Sequence, residues 1–229
     1  VVAGQQISEK RDSKNLGHFT SAQKVSGSDS IELLGLNLLS KNRETTDALY
    51  EILDSTRRGI GWHYILDFVW ILKHAAALSK PSTILDAGGG NGLLQFILSQ
   101  FGHKVVSVDF APRTPPKGWK VIHINDGQNF QNDYIQHLKN NYESAHGVQA
   151  ARTLSSPEEL DSLLTGIHDE IIYYCSDISK MRLLRDEIID AVVSVSAIEH
   201  NTAEKAQQAV DECWRVLKPG GILLITVSA

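Results

Sequence analysis

The sequence is short of the residues that mark disulfide-stabilised, membrane-spanning and nucleic-acid-binding proteins. Two cysteines in 229 residues cannot build a disulfide framework, so we expect a reducing compartment, the cytoplasm. No apolar run approaches the roughly 20 residues of a membrane-spanning helix. Positive charge is also scarce, because 22 Lys and Arg face 27 Asp and Glu and leave a net charge of -5. We therefore expect neither a nucleic acid nor a membrane as partner.

Core-forming residues, by contrast, are plentiful. Hydrophobic residues make up 42% of the chain and charged residues 21%, which excludes a disordered protein and suits one large domain, alone or with an appendage. Residues 1–29 are poor in apolar positions and are predicted to form a flexible N-terminal arm. Residues 30–80 have helical periodicity and are predicted to form N-terminal helices that cap the substrate site.

The last of these predicted helices, from about Trp62 to Leu78, has two stripes of different character. One is apolar and is expected to pack on the core; it comprises Trp62, Ile65, Leu66, Val69 and Leu72. The opposite stripe either lines a pocket or faces solvent; it comprises His63, Asp67, Trp70 and His74.

From residue 82 onward, short apolar segments alternate with helical ones. This alternation predicts an α/β fold with a doubly wound, mainly parallel, Rossmann-like sheet and helices on both faces. We assign residues 81–229 to this core, with residues 111–170 as a weakly periodic insertion after the second strand. The predicted strands are 82–86, 104–109, 121–124, 171–176, 190–196 and 222–227, and the predicted helices are 93–101, one after Pro157, 180–188 and 202–217.

A glycine-rich turn follows the first predicted strand, in the segment Asp86-Ala87-Gly88-Gly89-Gly90-Asn91-Gly92. Glycines permit positive φ and let a ligand approach the backbone, and the helix that follows offers free N–H groups. In a parallel sheet this turn lies at the carboxyl edge, where ligands bind. Asp109 ends the next strand, 21 residues after Gly88, at the spacing of a carboxylate that binds ribose hydroxyls.

Two cofactor classes use such a turn, and the spacing separates them. A dinucleotide site needs the pattern G-x-G-x-x-G, but counting from Gly88 its third position holds Leu93. The carboxylate of Asp86 would repel a pyrophosphate and would suit an ammonium group. These residues favour S-adenosylmethionine over NAD, with an NAD-linked oxidoreductase as the rival.

The chain resembles the class I S-adenosylmethionine-dependent methyltransferases, and within them the small-molecule branch. The resemblance runs from Ser82 to the end of the chain and is interrupted by the insertion. Four blocks in the expected order make it specific: ILDAGGGNG (84–92), VVSVDFAP (105–112), YCSDIS (174–179) and the segment 190–227, which contains Glu-His after the fourth core strand and RVLKPGG before the fifth.

The resemblance implies S-adenosylmethionine as cofactor and a role for each matching residue. The turn glycines would lie under the methionine part, with Asp86 orienting it directly or through water. Asp109 would hold the ribose hydroxyls and Asp177 would accept from the adenine amino group. For the two apolar contacts, ordinary core packing is the alternative. The full set of implied cofactor contacts is Asp86, Gly88, Gly90, Gly92, Asp109, Phe110 (on the adenine), Asp177, Ile178 (against the ring) and Ser196 (beneath the sulfonium).

His200, with Glu199 beside it, is the candidate catalytic pair, because the loop after the fourth core strand opens onto the transferred methyl. A histidine near its ordinary pKa of about 6.5 can accept a hydroxyl proton at neutral pH. Alternatively, the pair only leads into a helix capped by Thr202. We propose no metal, since Ser196 stands where metal-using relatives of this branch carry the first carboxylate.

The expected function is methyl transfer to an O or N nucleophile of a small molecule. The alternative is a catalytically silent member that binds the cofactor or a partner, and self-association into a homo-oligomer stays open. Class I methyltransferases have two further strands beyond the fifth, so the core is expected to lack them. The strand 222–227 would then be an edge strand, of a fragment or of a sheet covered by another segment or subunit.

Overall fold

A seven-stranded parallel sheet forms the centre of the protein in the computed structural model. The structure describes residues 29–56, 59–111, 113, 115–116, 119–126, 149–167 and 171–227. The strand order is β4-β3-β5-β2-β1-β6-β7, and every strand pair is parallel, which confirms the predicted fold class. The strands are β1 (Thr83–Ala87), β2 (Lys104–Asp109), β3 (Val121–Asn125), β4 (Gln149–Thr153), β5 (Ile171–Cys175), β6 (Ile189–Val195) and β7 (Leu217–Thr226).

Helices cover both faces of this sheet. Since adjacent strand residues point to opposite faces, Ile84 joins one apolar cluster and Leu85 the other. The first cluster takes side chains from α2, α3 and α4, and the second from α5 and α6. The helices are α1 (Asn37–Lys41), α2 (Arg43–Thr56), α3 (Trp62–Ala75), α4 (Leu94–Gln100), α5 (Pro157–Gly166) and α6 (Ala203–Val216).

The N-terminal helices pack directly on the sheet domain. Ile65, Val69 and Leu72 of α3 are buried in the same cluster as Ile84 of β1. Trp62, predicted in the same stripe, is instead 70% exposed. The predicted arm lies outside the described residues except for its last position, residue 29. No helix among the described segments combines the length and apolarity needed to cross a bilayer.

The predicted helix at 180–188 is wrong, because side chains of neighbouring elements bind its backbone N–H groups. Met181 N–H donates to Glu212 Oε1 (2.6 Å), and Leu183 N–H donates to the Tyr174 hydroxyl (3.3 Å). The segment is therefore a series of turns. Its apolar residues are nevertheless buried, as those on the inner face of a helix would be.

The insertion adds strands to one end of the sheet. β3 pairs with β5 and β4 pairs with β3, so both lie beyond the strand that follows the insertion. The strand at 121–124 and the helix after Pro157 were predicted, whereas β4 was not. At the other end, β7 begins at Leu217 rather than Ile222, with an irregular register over residues 218–221.

Candidate active site

The candidate site lies where the direction of strand order reverses. β1 has β2 on one side and β6 on the other, so the turn after β1 and the loop after β6 meet at the carboxyl edge. They are in contact: a Cβ on Gly88 would overlap the Cβ of Ala197. Such a reversal opens a crevice that binds ligands in open α/β sheets.

The glycine turn is fixed by backbone hydrogen bonds to β2. Gly88 N–H and Gly89 N–H both donate to Val108 O, at 2.8 and 3.3 Å, and Gly92 N–H donates to Gly89 O at 3.1 Å. Gly88 has φ +76° and Gly90 has φ +49°, values that side chains with a Cβ adopt only with strain. The turn therefore needs glycine at these two positions.

Asp109 lies directly against this turn. Its Oδ2 accepts from Gly90 N–H at 2.9 Å and its Oδ1 accepts from Ala111 N–H at 2.8 Å. Each carboxylate oxygen keeps a second lone pair. The space beside Gly90 is open, since an added Cβ would find Asp109 Oδ2 as its nearest neighbour, at 4.0 Å. A ligand with adjacent hydroxyls fits this arrangement.

Asp86 occupies a different position, beneath the turn. It is 2% exposed, and its Oδ2 accepts from the Ser107 hydroxyl at 2.7 Å. A Cβ on Gly89 would overlap both Asp86 Oδ2 and Ser107 Oγ. Burial raises the pKa of Asp86 to about 6, although the Ser107 hydrogen bond and the charge of Arg113 oppose this rise. The structure thus places Asp86 behind the turn, where its charge acts through the backbone.

A cavity of about 380 Å³ continues the site beyond Asp109. Phe110 lines it with a ring that is 67% exposed, which excludes ordinary core packing for this residue. Ile178, in contrast, is half-buried against the second apolar cluster. Asp177 also lines the cavity.

Ser179 holds the Asp177 carboxylate with two hydrogen bonds, one from its N–H (2.8 Å) and one from its hydroxyl (2.7 Å). Its partial burial would raise the pKa, but these bonds and Lys205 lower it below the usual value. An ionised acceptor therefore stands at the rim of the cavity.

The loop after β6 presents the candidate catalytic pair. Ser196 has φ +45° and its N–H donates to Thr226 O at 3.0 Å. Residues Ile198–His200 form a 3-10 turn in which Glu199 is half-buried and His200 is exposed. The predicted cap is confirmed, because Thr202 Oγ1 accepts from Lys205 N–H at 3.3 Å. The loop therefore leads into α6 and also lies at the crevice.

Helix α3 contributes Asp67 to the same end of the sheet. Asp67 is half-buried, and burial together with the nearby charge of Glu199 raises its pKa. A hydrogen bond with Thr226 and the charge of His63 oppose this rise. This part of the second α3 stripe therefore faces the loop after β6. Elsewhere in the described residues, Trp119 packs on Phe96 in the core.

Sequence reasoning missed Ser107 and Arg113. Both are buried, and Arg113 donates to the Ser107 hydroxyl and to Ser107 O, each at 2.6 Å. One signal was available, since a serine interrupts the apolar run of β2, and helices cover both faces of the parallel sheet to which β2 belongs. Nothing in the sequence pointed to Arg113, which reaches Ser107 from the loop after β2.

Comparisons with known proteins found a matching family and several distant relatives. The sequence profile of a family described as "Methyltransferase domain" matches residues 134–225. The chain is similar to this methyltransferase family over those residues, and the glycine turn and Asp109 lie before them. The open face of Gly90 and the carboxylate of Asp109 suit a ligand that carries a ribose. No group of three His, Cys, Asp or Glu side chains arranged to hold a metal occurs in the described part of this chain.

The relatives found individually are distant. A tRNA (carboxymethyluridine(34)-5-O)-methyltransferase of Arabidopsis thaliana is 36% identical over 72 residues, which cover 28% of this chain and 18% of that protein. A Pyrococcus horikoshii structure is 17% identical, with a TM-score of 0.44, over 75% of this chain and 56% of that one. A TehB-like S-adenosylmethionine-dependent methyltransferase of Corynebacterium glutamicum is 17% identical, with a TM-score of 0.40, over 81% and 72%. The matched region spans less than a fifth of the curated relative.

Proposed function

We propose that the protein transfers the methyl group of S-adenosylmethionine to an oxygen or nitrogen nucleophile of a small molecule. The observation that carries this proposal is the junction of two loops at the carboxyl edge. The glycine turn with Asp109 offers the nucleoside and methionine binding surface, and it touches the loop that holds Glu199 and His200. One crevice can therefore hold both the cofactor and an acceptor.

Most of the catalytic work falls to positioning. S-adenosylmethionine supplies a methyl group already activated on a sulfonium. The protein then needs to hold the nucleophile in line and in near contact, which can contribute about 7–11 kcal/mol toward the barrier. Asp109, Gly90 and the ring of Phe110 would fix the nucleoside part. Ser196, whose strained backbone is held by Thr226 O, would form the floor of the crevice.

We further propose that His200 accepts the proton of the acceptor group, with Glu199 beside it. His200 is exposed at the crevice, where an acceptor can reach it. Asp67 of α3 lies close enough to interact with Glu199, so α3 also borders this part of the crevice.

The small-molecule acceptor is supported by composition and by the chain segments around the crevice. A net charge of -5 opposes binding of a polyanion. The similarity to a tRNA methyltransferase covers only 28% of this chain, so it does not favour RNA as the acceptor. Residues 30–80, and the part of the insertion 111–170 that precedes the matched profile at residue 134, would select the acceptor. Both cysteines are free and buried, in keeping with a cytoplasmic setting.

The test begins with binding. Calorimetry with S-adenosylhomocysteine, the demethylated product, should give micromolar affinity. Methyl transfer from labelled S-adenosylmethionine is then measured against a panel of phenols, amines and carboxylic acids, with bulk tRNA as a separate arm. We expect turnover on a small acceptor. Binding without turnover on any arm would favour the catalytically silent alternative, and transfer to tRNA alone would overturn the acceptor class.

The role of His200 is tested with His200→Gln. Loss of a general base costs about 10²–10⁴-fold in kcat, while the Kd for S-adenosylhomocysteine should stay within twofold. Gln207→Ala, on the exposed surface of α6, is the matched control and should change neither quantity. An unchanged kcat for His200→Gln would leave the loop with a structural role only.

A further inference from the structure

A line of buried polar groups leads from the glycine turn into the protein. Asp86 Oδ2 accepts from the Ser107 hydroxyl (2.7 Å), and Ser107 Oγ in turn accepts from Arg113 Nη1 (2.6 Å). Arg113 Nη2 also donates to Ser107 O at 2.6 Å. None of the three residues is more than 2% exposed. A positive and a negative side chain are thus joined through one hydroxyl, out of contact with water.

The guanidinium of Arg113 is held by aromatic neighbours. Its Cζ lies 4.0 Å from the centre of the Tyr173 ring, a cation–π contact. The Tyr173 hydroxyl accepts from Gln95 Nε2 at 3.3 Å. His123 stands edge-on to Tyr173, with 5.3 Å between ring centres. Burial, and then the charge of Arg113, lower the pKa of His123 to about 4, so this histidine adds no positive charge at neutral pH.

A buried guanidinium is costly unless an anion balances it. Two carboxylates are near enough to matter: Asp86, which shares Ser107 with Arg113, and Asp109, whose charge also acts on Asp86. Asp109 is already bound by Gly90 N–H and Ala111 N–H. Asp86 has the Ser107 hydroxyl as its hydrogen-bond donor, so the Arg113 charge reaches it through that residue.

We propose that Arg113 is a positioning residue of the cofactor site, which acts through Ser107 to keep Asp86 ionised and fixed beneath the glycine turn. The anion then lies directly under Gly89 and attracts the ammonium group of the methionine part. Without Arg113, burial and the neighbouring Asp109 would both favour the neutral carboxylic acid. This inference rests on the proposed function only for the identity of the ligand; the link between Arg113 and the charge of Asp86 is a property of the ligand-free protein.

The first experiment therefore uses no cofactor. The free energy of unfolding is measured in urea between pH 3.5 and 8.5 for the wild type and for Asp86→Asn. The folded-state pKa of Asp86 is raised, so the wild type loses stability relative to Asp86→Asn as the pH rises. This difference in the free energy of unfolding stops growing, and reaches a plateau, near the folded-state pKa of about 6. In an Arg113→Gln background we expect this plateau to begin at least about 1 pH unit higher.

Matched variants separate charge from packing. Arg113→Lys keeps the charge and should keep the plateau near pH 6, whereas Ser107→Ala removes the bridging hydroxyl with little change of volume and should move it upward. Arg43→Gln, which replaces an exposed arginine on α2, should leave the pH of the plateau unchanged. If Arg113→Gln does not fold, the Ser107→Ala and Arg113→Lys results decide. A plateau at the same pH in every background would overturn the proposal.

The second experiment measures the Kd for S-adenosylhomocysteine at pH 6 and pH 8.5. If only the ionised form of Asp86 attracts the ligand, a rise of one unit in its pKa makes Arg113→Gln about fivefold weaker than wild type at pH 6 and equal to it at pH 8.5. A loss of equal size at both pH values would indicate a packing role and overturn the positioning role. Absence of wild-type binding at either pH would overturn the proposed cofactor function, while the unfolding data would still decide the Arg113–Asp86 link.

Discussion

The two sides of the crevice differ in how firmly their polar groups are held. On the proposed cofactor side, the glycine turn and Asp109, the Asp109 carboxylate is bound by the backbone of Gly90 and Ala111. On the proposed acceptor side, the loop after β6 and the start of α3, His200 is exposed and lies on a 3-10 turn of three residues. Preorganised groups bind one ligand tightly because little ordering is left to do.

The difference teaches which side carries the shared chemistry. A cofactor that a whole family shares favours a rigid binding site. In this protein the glycines and the carboxylate of the turn are fixed by β1 and β2, in the middle of the sheet. An acceptor varies from enzyme to enzyme, and a short loop with side chains from α3 can change without disturbing the sheet. Substitutions at the glycine turn and Asp109 should therefore reduce stability or ligand affinity strongly, and substitutions at the rim should reduce them little.

Gly88→Ala should have the largest effect. Its φ of +76° strains any side chain, and the new methyl would overlap Ala197 across the crevice. We expect the free energy of unfolding to fall by about 2–4 kcal/mol, measured by urea denaturation, with cofactor binding lost as well.

Two control glycines separate the causes of that effect. Gly220→Ala keeps a positive φ of +79° but has open space, and Gly166→Ala has open space alone. We expect an intermediate loss for the first and almost none for the second. If Gly88→Ala were no worse than Gly220→Ala, the contact between the two sides of the crevice would be unimportant.

Asp109→Ala comes next. It removes the carboxylate that faces the open side of Gly90, and loss of a buried, charge-assisted hydrogen-bond group costs about 2–5 kcal/mol in binding. The Kd for S-adenosylhomocysteine should rise at least about a hundredfold. Asp211→Ala, on the exposed face of α6, is the control. A change of less than threefold would show that the rigid side does not bind the nucleoside.

The same contrast explains what sequence alone could predict. The glycine turn and Asp109 are recognisable because local spacing determines them: a strand, a turn and the end of the next strand. The segment 180–188 was misjudged because partners distant in sequence, Tyr174 and Glu212, bind its backbone. Arg113 escaped notice for the same reason, since only the fold brings its guanidinium to Ser107.

The pairing of the strands could likewise be predicted only in part from the sequence. The alternation of strands and helices predicted a parallel sheet with helices on both faces. It did not predict β4, whose residues 149–153 lie in the weakly periodic insertion and pair with β3 at an irregular register. Pairing at the end of a sheet depends on one neighbour only, so the sequence there needs less regular alternation.

Asp86→Asn should change stability in the opposite direction from Gly88→Ala. Burial raises the pKa of Asp86 from 3.8 to about 6, so ionisation destabilises the folded state as the pH rises between these values. Above pH 6.5 the variant should be about 3 kcal/mol more stable than wild type, and below pH 3.8 equally stable. Asp47→Asn, on exposed α2, should show no such gain. A destabilised Asp86→Asn at pH 7.5 would mean that the charge supports the fold itself.

Lys205→Ala should have the smallest effect. Lys205 Nζ lies 3.6 Å from Asp177 Oδ2, and both side chains are about half exposed, 52% and 45%, so solvent and salt screen the pair. Asp177 also accepts two shorter hydrogen bonds from Ser179, which should hold the carboxylate in place without the lysine. The Kd for S-adenosylhomocysteine should therefore change by less than about threefold, and Ser179→Ala should weaken binding more. A tenfold loss for Lys205→Ala that disappears in 0.5 M salt would show instead that electrostatic attraction from α6, rather than the fixed hydrogen bonds of the cofactor side, positions the adenine end of the ligand.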